Sequence, residues 1–365
     1  MLSKSKLVAA AAAAGAVCIF AASGAAVASP LWSTHNPAVP GAFTNTTPGL
    51  SQISVKGVFG TFVTWKGRFD NNVHYRFHVA GKWSKNLTIP GAHTNTSPAA
   101  AFYTDLKGQA SELVVWKQLR GTKIFYSQGV IGGSSISWTK VATLPGGFYS
   151  STTASPSVLF PINATHPRVI IAFRGPHFHV RYIIGTESGK NGRGFFFGKK
   201  PASVWIGPGT SANPTTTGAA PALTEIATGA TSKVYVFWKA NKTTGTINYA
   251  STPDNAGSGL EGGKSIPWTL LGQVPTGATS KAMTTGAPAV SSADPHNNGP
   301  LLLAYKGPSG FNIRFQTLVG TSWSEPYAFV NGNNNTTAVG PALVNGTLAN
   351  VSRTTGHIFL HHFVG

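Results

Sequence analysis

Acidic side chains are scarce: nine Asp and Glu stand against 28 Lys and Arg in 365 residues, a formal net charge of +19. Charged residues total 10% of the chain, where soluble domains average roughly 25%. That shortage excludes a coiled coil or helical bundle, which needs Glu and Lys at helical period. It also leaves few carboxylates for the paired acid–base chemistry of glycoside hydrolysis. Cysteine is nearly absent, with Cys18 alone, so no disulfide can form within the chain. Past the N-terminus no apolar run is long enough to span a bilayer.

What is present is turn-forming and apolar. The chain holds 43 Gly, 24 Pro and nine Trp, and 41% of it is hydrophobic. That content can bury a large core, which excludes a disordered chain. A big, turn-rich, all-β protein remains.

Residues 1–28 read as a secretory signal. Lys4 and Lys6 form the basic region, Leu7 to Ala22 the apolar stretch, and Ala26-Val27-Ala28 the small-residue cleavage site. Gly15-Ala16-Val17 before Cys18 is a poor lipidation motif. The expectation is therefore export. The mature chain of residues 29–365 loses two lysines, leaving +17.

One phrase recurs six times: a Thr-rich turn, then Pro, a small residue and an apolar one. Its prolines are Pro48, Pro98, Pro156, Pro221, Pro288 and Pro341, spaced 50, 58, 65, 67 and 53 residues apart. After the first five, an aromatic residue followed by a base appears 17 or 18 residues on: Trp65-Lys66, Trp116-Lys117, Phe173-Arg174, Trp238-Lys239 and Tyr305-Lys306. The sixth copy is degenerate, with Val351-Ser352-Arg353 in the matching place. A third strand follows about ten residues later, as in Val73-His74-Tyr75 or Ile247-Asn248-Tyr249, and a fourth carries Trp83, Trp138, Trp205, Trp268 or Trp323.

Four short strands repeated radially make a β-propeller. The expected fold is all-β: one six-bladed propeller domain over residues 29–365, four antiparallel strands to a blade. The sixth unit stops after its third strand, and the missing Trp strand sits at the other end as Leu31-Trp32-Ser33. Residues 29–43 are therefore expected to complete the last blade, because an open ring would expose strand edges.

Two sets of residues are candidates for binding. Lys66, Lys117, Arg174, Lys239, Lys306 and Arg353 occupy equivalent places on one rim. Each either caps its own blade or donates to a hydroxyl-rich or anionic ligand. Trp32, Trp83, Trp138, Trp268 and Trp323 either wedge between blades or offer flat apolar faces to sugar rings. Asp105 and Glu112 are the best carboxylate pair for hydrolysis, though seven residues apart. His177 and His179 would share a strand face, and His361-His362 is the other dense imidazole pair, but neither brings a third ligand, so no metal is expected. No cofactor motif is present.

The Trp65-Lys66-Gly67 phrase, the Ile/Val-x-Tyr strand and the Trp-Ser strand together resemble the repeats of bacterial and fungal propeller lectins, among them the fucose-binding six-bladed ones. The resemblance covers nearly all of the mature chain. It implies sugars held in shallow pockets between blades by the tryptophans and bases just named. Blade three, with Phe173-Arg174 and a basic insertion from Lys190 to Lys200, and degenerate blade six depart from the pattern. The chain is similar in architecture to sialidases too, but the nearest phrase to their Asp-box, Ser134-Ser135-Ile136-Ser137-Trp138, has no Asp.

Three functions follow as expectations. The first is a secreted, non-catalytic glycan-binding propeller. The second is an exported sialidase- or glycosidase-like enzyme, which the poverty of carboxylates weighs against. The third is a cationic cell-surface protein that attracts polyanions non-specifically. Specific nucleic-acid recognition is not expected, since base-reading motifs are absent.

Overall fold

Three of the second strands of the repeat carry unbroken apolar runs. Leu113 to Trp116, Val169 to Phe173 and Leu301 to Tyr305 are buried at every position. A strand with one wet face alternates, whereas a continuous run needs cover on both faces. A radial stack supplies that cover, because each sheet is sandwiched between two neighbours. The computed structural model has this arrangement. It describes residues 31–32, 37–145, 154–161, 168–187, 194–198, 202–204, 217–228, 231–240, 245–253, 266–276, 280–293, 299–309, 311–328, 337 and 339–364. The segment read as a signal (residues 1–28), Trp205 and the insertion residues Lys190, Lys199 and Lys200 lie outside them.

Six antiparallel sheets form the ring. Blade one runs Gly49–Val55, Val58–Lys66, Asn72–Val79 and Lys82–Trp83. The second and third strands of the next four blades are Ala110–Lys117 with Ile124–Gly132, Arg168–Arg174 with Val180–Glu187, Thr231–Lys239 with Gly245–Pro253, and Leu301–Lys306 with Ile313–Val319. Blade six is Ala342–Val344, Thr347–Val351 and His357–Val364, with Leu31–Trp32 as its outer strand. The first strands touch in order around the axis, and the sixth returns to the first. The ring is closed by the N-terminal strand, as the repeat arithmetic implies.

The fourth strand is split. In blade one both Lys82–Trp83 and Leu87–His93 pair with Asn72–Val79, and every blade repeats this division. The residue after the Trp explains the break. Ser84 Oγ accepts the Phe77 N–H at 3.0 Å, Thr139 Oγ1 accepts that of Gln128 at 3.0 Å, and Ser324 Oγ that of Thr317 at 3.0 Å. A hydroxyl stands in for the carbonyl that the interrupted ladder lacks. That is the physical content of the recurring Trp-Ser or Trp-Thr.

The Thr-rich turn has an equally local cause. Thr44, Thr94, Thr217, Thr284 and Thr337 each lie four residues before the repeat Pro and are buried to 1% exposure or less. Each hydroxyl accepts the N–H two residues on, at 3.1 to 3.3 Å. These are ST-turns, and they deliver the chain to the axis, where the six prolines line one mouth of a central cavity of about 160 Å³.

The core lies between blades rather than inside one unit. Six apolar layers alternate with six sheets. In four of them, an aromatic in or just before the outer strand rests against the third strand of the preceding blade. Trp138 stands edge-on to Tyr75 at 5.3 Å, Trp268 to Tyr182 at 5.9 Å, Trp323 to Tyr249 at 5.5 Å and Trp32 to Phe315 at 5.6 Å.

Candidate functional site

The second and third strands meet at the proline end of the ring, because Gly49 pairs with Thr64 and Lys66 with Val73. The strand-end bases therefore do share one rim. They do not stand out from it as a crown. Lys66, Lys117, Arg174 and Lys239 are 8%, 1%, 7% and 4% exposed. Lys66 Nζ donates to Asn45 Oδ1 at 3.2 Å, and Lys117 Nζ to Asn95 Oδ1 at 3.1 Å and the Gln118 carbonyl at 3.0 Å. Arg174 donates to the Gly218 carbonyl of the next blade's lead-in turn at 3.2 Å. Lys66, Lys117 and Arg174 thus satisfy loop oxygens while their stems are buried. Burial lowers the pKa of Lys117 and Arg174; for Lys239 burial is joined by Arg174, and for Lys306 by Arg353.

Arg353 departs from the set. Val351 pairs with Ile358 as Lys66 pairs with Val73, so the base position of blade six is held by Val351. Arg353 lies two residues on, exposed in a turn, and its guanidinium sits 3.7 Å from the ring centre of Phe311 in blade five. Lys306 approaches the same ring at 4.8 Å.

The tryptophans divide into two groups. Trp32 and Trp268 are buried, at 7% and 6% exposure. Trp83, Trp138 and Trp323 are half-buried at the outer ends of their clefts. Trp323 Nε1 donates to Tyr249 Oη at 3.1 Å, so its polar edge faces inward. Trp83 packs on the layer between blades six and one, with His78 4.9 Å from its ring. Trp268 precedes its outer strand, Thr269–Gln273, rather than lying in it. In blade three the outer strand is Phe195–Phe197, and Phe197 meets Tyr126 at 5.2 Å as the tryptophans meet their tyrosines. A tryptophan count does not find that phenylalanine; the three-residue Phe run opposite Gly185 is its only signal.

Asp105 and Glu112 are not brought together. Successive residues of a strand face opposite sides of the sheet. Glu112 shares the side of Val114 and Trp116, toward blade one, where it accepts a hydrogen bond from Ser51. Asp105 turns toward blade three and caps its own hairpin, accepting N–H groups from Lys107 at 2.9 Å and Gln109 at 2.7 Å. Its carboxylate neighbour is Glu187 of blade three, which accepts the Leu106 N–H at 3.0 Å. Burial, and then the charge of Asp105, hold the Glu187 carboxyl above its usual range, with the Leu106 bond opposing.

Glu112 is fully buried, and burial pushes its pKa well above the ordinary value, against the Ser51 bond. A raised carboxyl pKa confers stability that is present below pH 4.5 and lost as pH rises. Glu112→Gln keeps the shape and an acceptor for Ser51 without a charge. It should stabilise the ring by about 1 kcal/mol at pH 8 and by less at pH 5. Thermal unfolding at both values checks this; a loss of stability at both would show that the charge itself is needed.

The histidine pairs also resolve. His177 and His179 lie in a turn, Pro176–Phe178, and the residue after it, not on a shared strand face; their rings are 6.0 Å apart. His361 and His362 point to opposite sides of the last strand: His361 Nε2 meets Asn350 Oδ1 at 2.8 Å, and His362 Nδ1 meets Thr347 Oγ1 at 3.1 Å. Among the described residues no group of three or more His, Cys, Asp or Glu is placed to hold a metal ion, and no helix is long and apolar enough to cross a membrane. Beyond the proline mouth the axis opens into a cavity of about 330 Å³, lined by Gln52, Phe102, Phe160, Glu225 and Asn345 among others.

No protein-family model and no curated protein matches the chain. Solved structures do match in fold. The fungal lectin of Aleuria aurantia, a six-bladed β-propeller with a novel fucose recognition mode, aligns with a TM-score of 0.55 at 12% identity over 87% of this chain and 91% of that one. The α-L-arabinanase of Penicillium chrysogenum, complexed with arabinobiose, aligns at 0.56 and 10% identity over 91% and 98%. A Hadza microbial sialidase aligns at 0.53 and 13% identity over 87% of this chain but 65% of its own length. At these identities the likeness is one of fold, shared by sugar binders and sugar-cleaving enzymes.

Proposed function

We propose that this chain is an exported, non-catalytic carbohydrate-binding propeller with several inter-blade sites. The observation that carries the reading is the half-buried indole at the outer end of three blade junctions: Trp83 between blades six and one, Trp138 between one and two, and Trp323 between four and five. An indole face held rigidly by a neighbouring aromatic offers a flat apolar platform to the C–H side of a sugar ring. Repetition around the ring adds avidity to weak single contacts. The separation of Asp105, capping a hairpin beside Glu187 of blade three, from Glu112, buried against Ser51 of blade one, supports binding over the glycosidase reading. The apolar stretch before Ala28 supports export.

Binding to a broad neutral glycan array tests the reading. Trp83→Ala, Trp138→Ala and Trp323→Ala should weaken capture stepwise, roughly threefold to tenfold each. Trp268→Ala, at a buried ring, should lower the melting temperature instead. Silence of the wild-type chain across the array would overturn the proposal, as would turnover of aryl glycosides.

A further inference from the structure

Among the described residues, the proline end of the ring is nearly free of negative charge. Its five strand-end bases, Lys66, Lys117, Arg174, Lys239 and Lys306, are joined by Arg68, Arg120, Lys123 and Arg353 in the loops between second and third strands. Asp70 is the single carboxylate in the described loops at this end, and it is held by His74 Nε2 at 3.1 Å. Of the other described carboxylates, Asp105, Glu112, Glu187 and Glu225 lie toward the opposite end or between blades, and Glu325 lies at the outer edge of blade five between Ser322–Trp323 and Tyr327–Ala328. Among the described residues, cations at this end thus far outnumber carboxylates.

That face also carries aromatic rings set against cations, in alternate blades. In blade one the Arg68 guanidinium lies 5.6 Å from the Phe69 ring centre; in blade three that of Arg174 lies 5.0 Å from Phe178; in blade five Phe311 meets Lys306 and Arg353. Phe69 is 87% exposed and Phe178 45%. Both rings are thus open to solvent beside a guanidinium.

The blade-three loop is held in this shape at a cost. His177 and Phe178 both have positive φ, 57° and 64°, conformations that L side chains rarely adopt in succession. The loop is closed by the Gly175 N–H bond to the His179 carbonyl at 2.8 Å, and the Phe178 carbonyl accepts the Thr217 N–H at 2.7 Å. Glycine would relieve the strain, and the chain spends a phenylalanine there instead. In blade one Arg68 reaches across to the Thr355 carbonyl of blade six, over Gly356 at φ 77°. An added Cβ there would lie 2.7 Å from the guanidinium.

We propose that the proline-end loops of blades one, three and five form a surface for acidic polysaccharide, with Phe69 and Phe178 stacking on sugar rings and the exposed guanidinium groups of Arg68 and Arg353 taking sugar carboxylates. The proposal rests on the carbohydrate-binding reading but places a charged ligand on a different face from the blade-junction indoles. A ring face fits the apolar side of a pyranose, and a guanidinium at its edge meets a carboxylate in a forked geometry. Arg353 and Arg68 supply the fork at the junctions flanking blade six.

The test titrates the full chain with oligogalacturonate, its methyl ester, polyphosphate and neutral glycans at 150 mM salt. Oligogalacturonate should bind at least tenfold more tightly than its methyl ester. Phe69→Ala with Phe178→Ala should weaken oligogalacturonate about tenfold and leave polyphosphate unchanged, with the melting temperature retained. Arg68→Gln with Arg353→Gln should weaken both. Equal response of both polymers to every variant would reduce the face to plain counter-charge and overturn the proposal, as would indifference of oligogalacturonate to the phenylalanine changes. Neutral-glycan capture lost on Trp83→Ala, with oligogalacturonate ignored, leaves the blade-junction reading standing and this one fallen. Capture of no sugar of either kind overturns both.

Discussion

A chain lacking residues 31–43 should lose all six blades in one transition, well below the melting temperature of the full chain. Leu31–Trp32 and Ala38–Phe43 both pair with the last strand, His357–Val364. Their side chains serve two layers at once. Trp32 packs with Leu302, Phe315 and Leu348 between blades five and six, while Val39 and Ala42 pack with Val63 and Trp65 between six and one. Without them the last strand is an open edge and two layers are half-uncovered. Trp32→Ala alone should cost about 3–5 kcal/mol, the range for a large buried aromatic. Calorimetry and hydrogen exchange on the truncated chain decide the matter. Melting at the full-length temperature, with blades one to four still protected from exchange, would mean that closure is not what holds the ring.

Acid should weaken the same closure. His361 is fully buried on the closing strand, and burial, with the charge of His362 beside it, lowers its pKa from 6.5 to about 4. His362 is lowered as well, by burial and by His78 across the junction in blade one. The unfolded chain then binds protons that the folded chain refuses. Stability is full above pH 6.5 and falls as pH drops through the window from 6.5 to about 4. For His361 the loss is about 3 kcal/mol over that window. Glu112 works in the opposite sense, because its proton is favoured in the folded state. The clean measurement is therefore a difference: denaturant unfolding of the wild type and of His361→Gln at pH 7 and pH 4.5. Glutamine keeps an amide toward Asn350 and does not titrate, so the variant should show the smaller drop. Equal drops would remove His361 as the cause.

Much of the ring is legible in the repeat alone. Pro48, Pro98, Pro221, Pro288 and Pro341 recur because an ST-turn and a fixed φ must deliver each first strand to the axis. Runs such as Leu301 to Tyr305 announce strands covered on both faces. The unpaired Trp32 segment announces closure, because a repeat count that ends one strand short must find it elsewhere. These are local demands, met by nearby residues, and local demands leave a periodic trace.

The fate of the candidate site residues leaves no such trace. Spacing puts Lys66 through Lys306 on one rim, but whether an ammonium reaches water or a turn oxygen depends on where Asn45, Asn95 or Gly218 of a lead-in turn falls in space. Seven residues of separation make Asp105 and Glu112 look like partners, but one caps a hairpin beside blade three and the other sits in a strand buried against blade one. Val351 takes the base position of blade six because strand pairing, not chain distance, defines equivalence.

The amino-acid order by itself determined the all-β class, the count of six and the join between the two ends of the chain, since periodicity and edge pairing are properties of short segments. Only the assembled ring decided which indoles keep a wet face, which cations are sunk beneath turns and where the surplus charge gathers. Those outcomes depend on side chains from two blades meeting across a layer, a distance that no single stretch of sequence encodes.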